Sequence, residues 1–239
     1  MAFPLVQSKK RVGGGDPEVE PFDDLTTITL DANVTVGNLL AVWHFYGGTV
    51  ANFVSISDNL GNAYSTVLLD EPPGGGTDTH CLFIAPVTVG GACTISIVLN
   101  ALVGYRSIIV HEVAGRALSR PVNVVRANFQ ASPGTGANAI TAGEDSTSMP
   151  GCYIFGVTAF EETGARALTP GTGFTAVETS PGTGTPPGNG SGAFASEELL
   201  QAAAGSVTVA FTTATNGPCN TVMMALEPAP ANLMGQACL

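Results

Sequence analysis

Residues 37–46 read GNLLAVWHFY, a glycine-led apolar run interrupted only by His44. An unbroken apolar run of this length, bounded by turn residues, reads as a central β-strand. Working outward, the neighbouring segments are also short, apolar and divided by Gly, Pro, Asn and Asp. They are residues 25–30, 52–57, 63–69, 80–87, 93–100 and 107–113, then 122–130, 151–160, 174–179, 192–196, 207–213 and 221–226. Many short strands between such turn signals predict an all-β sandwich. Alternation is cleanest in Cys93, Ile95, Ile97 and Leu99 against Thr94 and Ser96, and again in Val207, Val209 and Phe211 against Thr208 and Ala210. It buries one face of a strand and leaves the other wetter. Helix is scarce. Residues 197–204 (EELLQAAA, stopped by Gly205) are open to two readings, a two-turn surface helix or a strand end followed by a loop.

The sequence also matches itself. Slid so that Gly37 falls on Gly151, residues 37–46 lie on 151–160, residues 93–97 on 207–211 and residues 107–110 on 221–224, with Thr94 on Thr208 and Ile95 on Val209. Three strands agreeing at one ungapped shift indicate two similar halves, about 25–115 and 138–228. A half alone would expose its apolar face, so the halves are expected to pack face to face. The fold class that follows is a jelly-roll-like antiparallel β-sandwich (residues 25–228) built from two similar halves, with very little helix. Two independent domains are the other arrangement. The strand-like residues 122–129 leave no evident linker between 115 and 135, which favours a single sandwich. Residues 1–24 read as an N-terminal arm, 229–239 as a tail, and the uncharged 180–192 (SPGTGTPPGNGSG) as a long surface loop.

Composition narrows the function classes. Of 239 residues 11% are charged and 44% hydrophobic, mean hydropathy is +0.29, and Gly (30) and Pro (16) are abundant. That is too apolar for a disordered chain. Net charge is −11, and three of the eight cations, Lys9, Lys10 and Arg11, crowd the N-terminal arm. The acidic remainder would repel a phosphate backbone, so nucleic acid is not an expected partner. No stretch approaches the ~20 apolar residues of a membrane helix. The apolar start is too short for a signal sequence, and cations follow it instead of preceding it, so synthesis in the host cytoplasm without export is expected. Cys81, Cys93, Cys152, Cys219 and Cys238 form no regular framework. The first three read as small buried hydrophobes. Cys219 and Cys238 are the two that exposure would leave able to form intermolecular disulfides, although reduced thiols are favoured.

Few residues promise chemistry, and no catalytic or metal site is expected. His44 and His111 lie inside apolar runs, and no HExxH, Cys pair or GxSxG elbow is present. Glu161-Glu162 and Glu197-Glu198 are adjacent, and neighbours in a strand face opposite sides, so neither pair is a carboxylate dyad by itself. The stretch Asp58-Asn59-Leu60-Gly61-Asn62 has two readings. Asp58, Asn59 and Asn62 could offer oxygens to Ca²⁺, or could bond to their own backbone as an Asx-type turn, which is favoured. Trp43 and Tyr46 could form a sugar-stacking platform, with core packing the preferred use.

The order of several segments resembles a known group. These are Leu5-Val6-Gln7-Ser8, Val36-Gly37-Asn38-Leu39-Leu40, residues 57–64 (SDNLGNAY), residues 85–91 (APVTVGG), His111-Glu112-Val113-Ala114-Gly115, and Gly171-Thr172-Gly173-Phe174-Thr175. The chain is similar to the β-sandwich modules of tailed-bacteriophage virion proteins, also found in bacterial surface proteins, over roughly residues 1–228. Departures are the acidic insertion at 13–24 and the apolar tail after Pro228. The resemblance implies a virion structural protein, either a capsid decoration (cement) protein or a neck- or tail-attached one, with capsid, neck or tail subunits as partners, no cofactor, and homo-oligomeric assembly. Docking is expected through the termini: Phe3, Leu5, Lys9, Lys10 and Arg11 at the front, Leu233, Met234 and Leu239 at the back. A carbohydrate-binding adhesin recognising a host glycan is the alternative, and a glycan hydrolase a second one.

Overall fold

The computed structural model describes residues 4–14, 23–47, 52–70, 78–103, 105–163, 166–180 and 192–230. Among these residues the regular elements are all strands. The first half runs β1 (Leu5–Gly14), β2 (Asp23–Thr29), β3 (Leu39–Gly47), β4 (Phe53–Asp58), β5 (Ser65–Asp70), β6 (Asp78–Pro86), β7 (Thr94–Val103) and β8 (Tyr105–Val113). The second runs β9 (Val122–Gln130), β10 (Gly136–Thr147), β11 (Tyr153–Thr163), β12 (Leu168–Pro170), β13 (Thr175–Ser180), β14 (Gly192–Leu200), β15 (Gly205–Thr213) and β16 (Cys219–Leu226).

The halves repeat each other strand for strand. In the first, β1-β8-β3-β6-β5 form a five-stranded sheet and β2-β7-β4 a three-stranded one; in the second, β9-β16-β11-β14-β13 and β10-β15-β12 do the same. All pairings are antiparallel, in the order of a jelly roll. The expected face-to-face packing of halves is present, with one correction. Each half is already a closed two-sheet sandwich, because its own three-stranded sheet covers one apolar face. Four layers result, with the two five-stranded sheets innermost. Residues 114–121 link the halves where the sequence offered no evident linker, and the halves run from β1 to β8 and from β9 to β16, wider than 25–115 and 138–228.

Three apolar clusters correspond to the three gaps between layers. One fills the first half and includes Leu40, Val42, Tyr46, Phe83, Ile95 and Ile97. Another fills the second half, with Ile154, Val209, Phe211 and Met223. Between the halves, Leu39, Ala41, Trp43 and Phe45 meet Tyr153, Phe155, Val157 and Phe194. Successive residues of a strand point to opposite faces, so β3 supplies two cores at once and every residue in it is buried. That double duty is the physical reason its sequence is continuously apolar.

Residues 197–204 are not helical: 197–200 end β14 and the chain then turns. Glycine at position 156 of β11 is dictated by packing, since a Cβ there would lie 2.6 Å from Val209 Cγ1 and 3.1 Å from Glu197 Cγ. Residues 5–14 are likewise not a free arm. They pair with β8 from Leu5 opposite Val113 to Gly14 opposite Tyr105. Lysine and arginine there read as a solvated leader, yet charge is also what keeps an exposed sheet edge from pairing with other chains.

The halves run in the same direction. His111, opposite Ala41 near the start of β3, meets Tyr153 at the start of β11. Asp70, level with Phe45 late in β3, meets Asn220, level with Ala159 late in β11. The molecule is therefore polar. At one end Ala114 N–H donates to Pro4 O, Ala117 N–H to Glu227 O and Ala229 N–H to Gly115 O, gathering the first and last described residues around the linker. The odd-numbered strands end at the other, where the segments 15–22, 48–51, 71–77, 104, 164–165 and 181–191 connect to them.

Candidate functional site

Polar groups interrupt the apolar layer between the halves in two places. Nearer the linker end, β8, β11, β13 and β14 align a row of hydrogen bonds. Glu178 N–H donates to Ser196 Oγ at 3.1 Å, Ser196 Oγ lies 3.4 Å from His111 Nε2, His111 Nδ1 lies 2.8 Å from the Tyr153 hydroxyl, and that hydroxyl donates to Glu198 Oε2 at 2.6 Å. Because Tyr153 donates onward, its oxygen accepts from His111 Nδ1–H, and Nε2 then accepts the Ser196 hydroxyl; one imidazole tautomer satisfies the row. The row also reaches the first strand, since Ser8 Oγ donates to Glu178 Oε1 at 2.7 Å and Lys10 pairs with Glu178 and Thr179 O.

Burial holds His111 down to about 3, so the ring is neutral. It also raises the Glu198 carboxyl, against the pull of the Tyr153 bond, and lifts Tyr153 well above the ordinary phenol range. A serine, an imidazole and a carboxylate in sequence are the parts of a nucleophilic relay. Here Ser196 is 1% exposed and lies between two sheets, where no substrate reaches it. The chemistry available to the row is to tie the halves together.

Farther along the same layer Trp43 Nε1–H donates to His80 Nδ1 at 3.2 Å, and Asn220 Nδ2 donates to Asp70 Oδ2 at 2.7 Å. His80 Nε2 and Asn220 Oδ1 are buried without a protein partner. His44, inside the first half, bonds Thr26 Oγ1 at 3.2 Å. Trp43 and Tyr46 are fully buried, which removes the sugar-stacking platform those two were a candidate for and bears out core packing.

Adjacent carboxylates face opposite ways, as strand geometry requires. Glu198 points between the halves. Glu197 points into the second half, where Oε2 accepts Gly171 N–H at 2.8 Å and Oε1 accepts Ala210 N–H at 3.1 Å. Burial pushes its carboxyl up to about 8 in spite of those two bonds. Glu112 is also fully buried and accepts from Thr35 N–H (2.8 Å), Asn38 Nδ2 (2.6 Å) and Gln7 Nε2 (2.5 Å), fastening β1 and the β2–β3 turn to β8.

The turn after β4 is of the Asx type. Asp58 Oδ1 accepts Leu60 and Asn62 N–H at 2.9 and 3.1 Å, and Oδ2 accepts Asn62 Nδ2 and the Tyr64 hydroxyl at 3.0 and 3.1 Å. Asn62 Oδ1 accepts Thr88 and Val89 N–H at 2.8 and 2.9 Å, and Asn59 Oδ1 accepts Thr94 N–H at 2.6 Å. Gly61 supplies the left-handed residue at φ 82°. Hydrogen-bond donors occupy the side-chain oxygens that Ca²⁺ would need, so the cation reading fails on geometry. Asp58→Ala, which strands several of these donors, is expected to lower stability by about 2–3 kcal/mol in urea denaturation. Added Ca²⁺ should leave the wild-type melting temperature unchanged; a rise would restore the cation site.

The residues expected to dock on neighbours fare differently. Leu5 packs on the core between the halves, Lys9 pairs with Asp31, Lys10 with Glu178, and Arg11 Nη1 donates to Thr27 O and Oγ1. The front group is thus engaged within its own fold, because a paired edge strand must satisfy its side chains locally. Phe3, Leu233, Met234, Leu239 and Cys238 lie outside the described residues. Cys219 is buried on the second core, which corrects the expectation of an exposed thiol there. No helix among the described residues is long and apolar enough to cross a membrane. Tyr153 and Ser196 carry no signal in the sequence, because each matters only through partners distant along the chain; Glu197 is visible only as half of an adjacent carboxylate pair. No family model, curated protein or solved structure matches the chain.

Proposed function

We propose that this protein is a non-catalytic structural component of a tailed-bacteriophage particle, a capsid decoration protein or a neck- or tail-attached one, fixed by its linker end and presenting the opposite end outward. The observation that carries the reading is polarity. Both described chain ends leave beside the 114–121 linker, while the long connecting segments of both halves attach at the far end. Apolar side chains stand exposed at the linker end (Val6, Val36, Val89 and Leu118) and also farther along the first half (Leu25, Val54, Leu69 and Leu102), so the direction of attachment rests on the chain ends and connections. Exposed apolar side chains on an acidic, Lys-poor body suit contact with another protein better than contact with nucleic acid. The segment resemblance supplies the virion setting.

A test uses the full chain made during phage infection, with an epitope placed either within 181–191 or after residue 239. The chain should co-sediment with intact particles, and antibody should label the first epitope and not the second. A chain left in the soluble fraction, or equal labelling of both sites, overturns the reading.

A further inference from the structure

We propose that the layer between the two halves is an acid-sensitive latch, which opens as His80 and His111 take up protons while each half keeps its own sandwich. Placement argues for it first. Each half has a separate core enclosed by its own two sheets, and the layer between them is a third cluster that neither half needs for closure. Two of the three histidines are in that third layer, fully buried. The faces in contact resemble a protein–protein interface joined by a tether, and such interfaces are weaker than their buried area suggests.

The surroundings of each ring offer little to a positive charge. His111 faces Tyr153 on β11 and Ser196 and Glu198 on β14, with Glu178 of β13 and Lys10 of β1 one bond farther along the row and Arg116 acting on Tyr153. Both its nitrogens are already committed, and a second N–H would displace the Ser196 donor. His80 faces Trp43 and Phe45 of β3, with Asp70 on the neighbouring strand engaged by Asn220 of β16. Its Nδ1 holds the Trp43 N–H, so protonation there breaks that bond.

The sign follows from burial. Both rings are held down to about 3 in the closed state against an ordinary 6.5. The closed layer is therefore fully favoured above 6.5, and that advantage drains as pH falls from 6.5 towards 3. Glu198, raised by burial, works the other way above its ordinary 4.5, one proton against two. His44 is held down equally, but it lies inside the first half with Thr26 and Arg106 and has no part in opening the layer.

Trp43 is the single tryptophan, and it sits in this layer 5.7 Å from Phe194 of the other half. Its emission reports opening directly. On titration of the full chain from above 6.5 towards 3, emission should move to the red before the far-UV strand signal is lost. His111→Gln and His80→Gln should each lower the net proton uptake of that first step by about one. His44→Gln should leave the first step where it is. Coincident loss of both signals, an emission that does not move, or an equal effect of His44→Gln overturns the latch; the wild-type titration decides even if one variant fails to fold.

Discussion

Deleting residues 1–14 is expected to leave a chain that does not reach the native state. A detachable arm would predict the opposite, a folded sandwich lacking only its attachment. Instead, β1 is the outer strand of the first five-stranded sheet, and its loss bares the whole edge of β8. Glu112 Oε2 would lose the Gln7 donor, which costs about 1–3 kcal/mol where that oxygen stays out of water. Leu5 would leave the central core, and Arg11 would no longer bridge to β2. With Ser8 and Lys10 gone, Glu178 also loses the contacts that join β1 to the other half. A domain whose whole stability is about 5–15 kcal/mol does not absorb such a sum. Recovery in the insoluble fraction, or a chain without a cooperative thermal transition, is the expected result. Gln7→Ala isolates one component and should cost about 1–3 kcal/mol in urea denaturation. A soluble truncation with an unchanged melting temperature would return these residues to the status of a free arm.

The same strand shows where sequence reading stopped. The run at 37–46 and the alternation at 94–99 carry their burial in their residue types, so most of the strands, the duplication and the face-to-face halves could be read directly. β1 has no such signature, since an edge strand with one solvated side accepts Ser, Lys and Arg. β10 hid for a different reason. Register shifts between Gly136 and Ile140 and between Thr141 and Gly143 break its alternation, and Gly143 adopts φ 86°. Residues 197–204 left a helix and a strand end both open because Glu and Leu are good helix formers, and the strand end is what forms. Tertiary context overrode that preference by giving Glu197 two backbone donors in the second core and Glu198 a tyrosine between the halves. The central row was beyond reach altogether, because periodicity assigns His111 and Tyr153 to faces and cannot say that those two faces meet.

Trp43→Ala should be the most damaging single substitution in the layer between the halves. The ring is fully buried, stacks on Phe45 at 5.9 Å between centroids and touches Phe194 across the gap at 5.7 Å. Truncating a buried aromatic to Ala typically costs about 3–5 kcal/mol, the more so where the cavity cannot collapse. Two five-stranded sheets cannot close over this one, since Leu39, Ala41 and Phe45 hold their spacing on one side and Phe155 and Val157 on the other. His80 Nδ1 would lose the Trp43 donor while remaining buried, adding about 1–3 kcal/mol. Thermal unfolding should reflect this as a fall of about 10 °C or more for a chain of this size. Trp43→Phe separates the two contributions. It keeps most of the packing and removes the N–H, so a loss of only about 1–3 kcal/mol is expected. If Trp43→Ala melted within a few degrees of wild type, the contact between the halves would be too weak to hold them together. Both the four-layer packing and the orientation it gives to the linker end would then have to be given up.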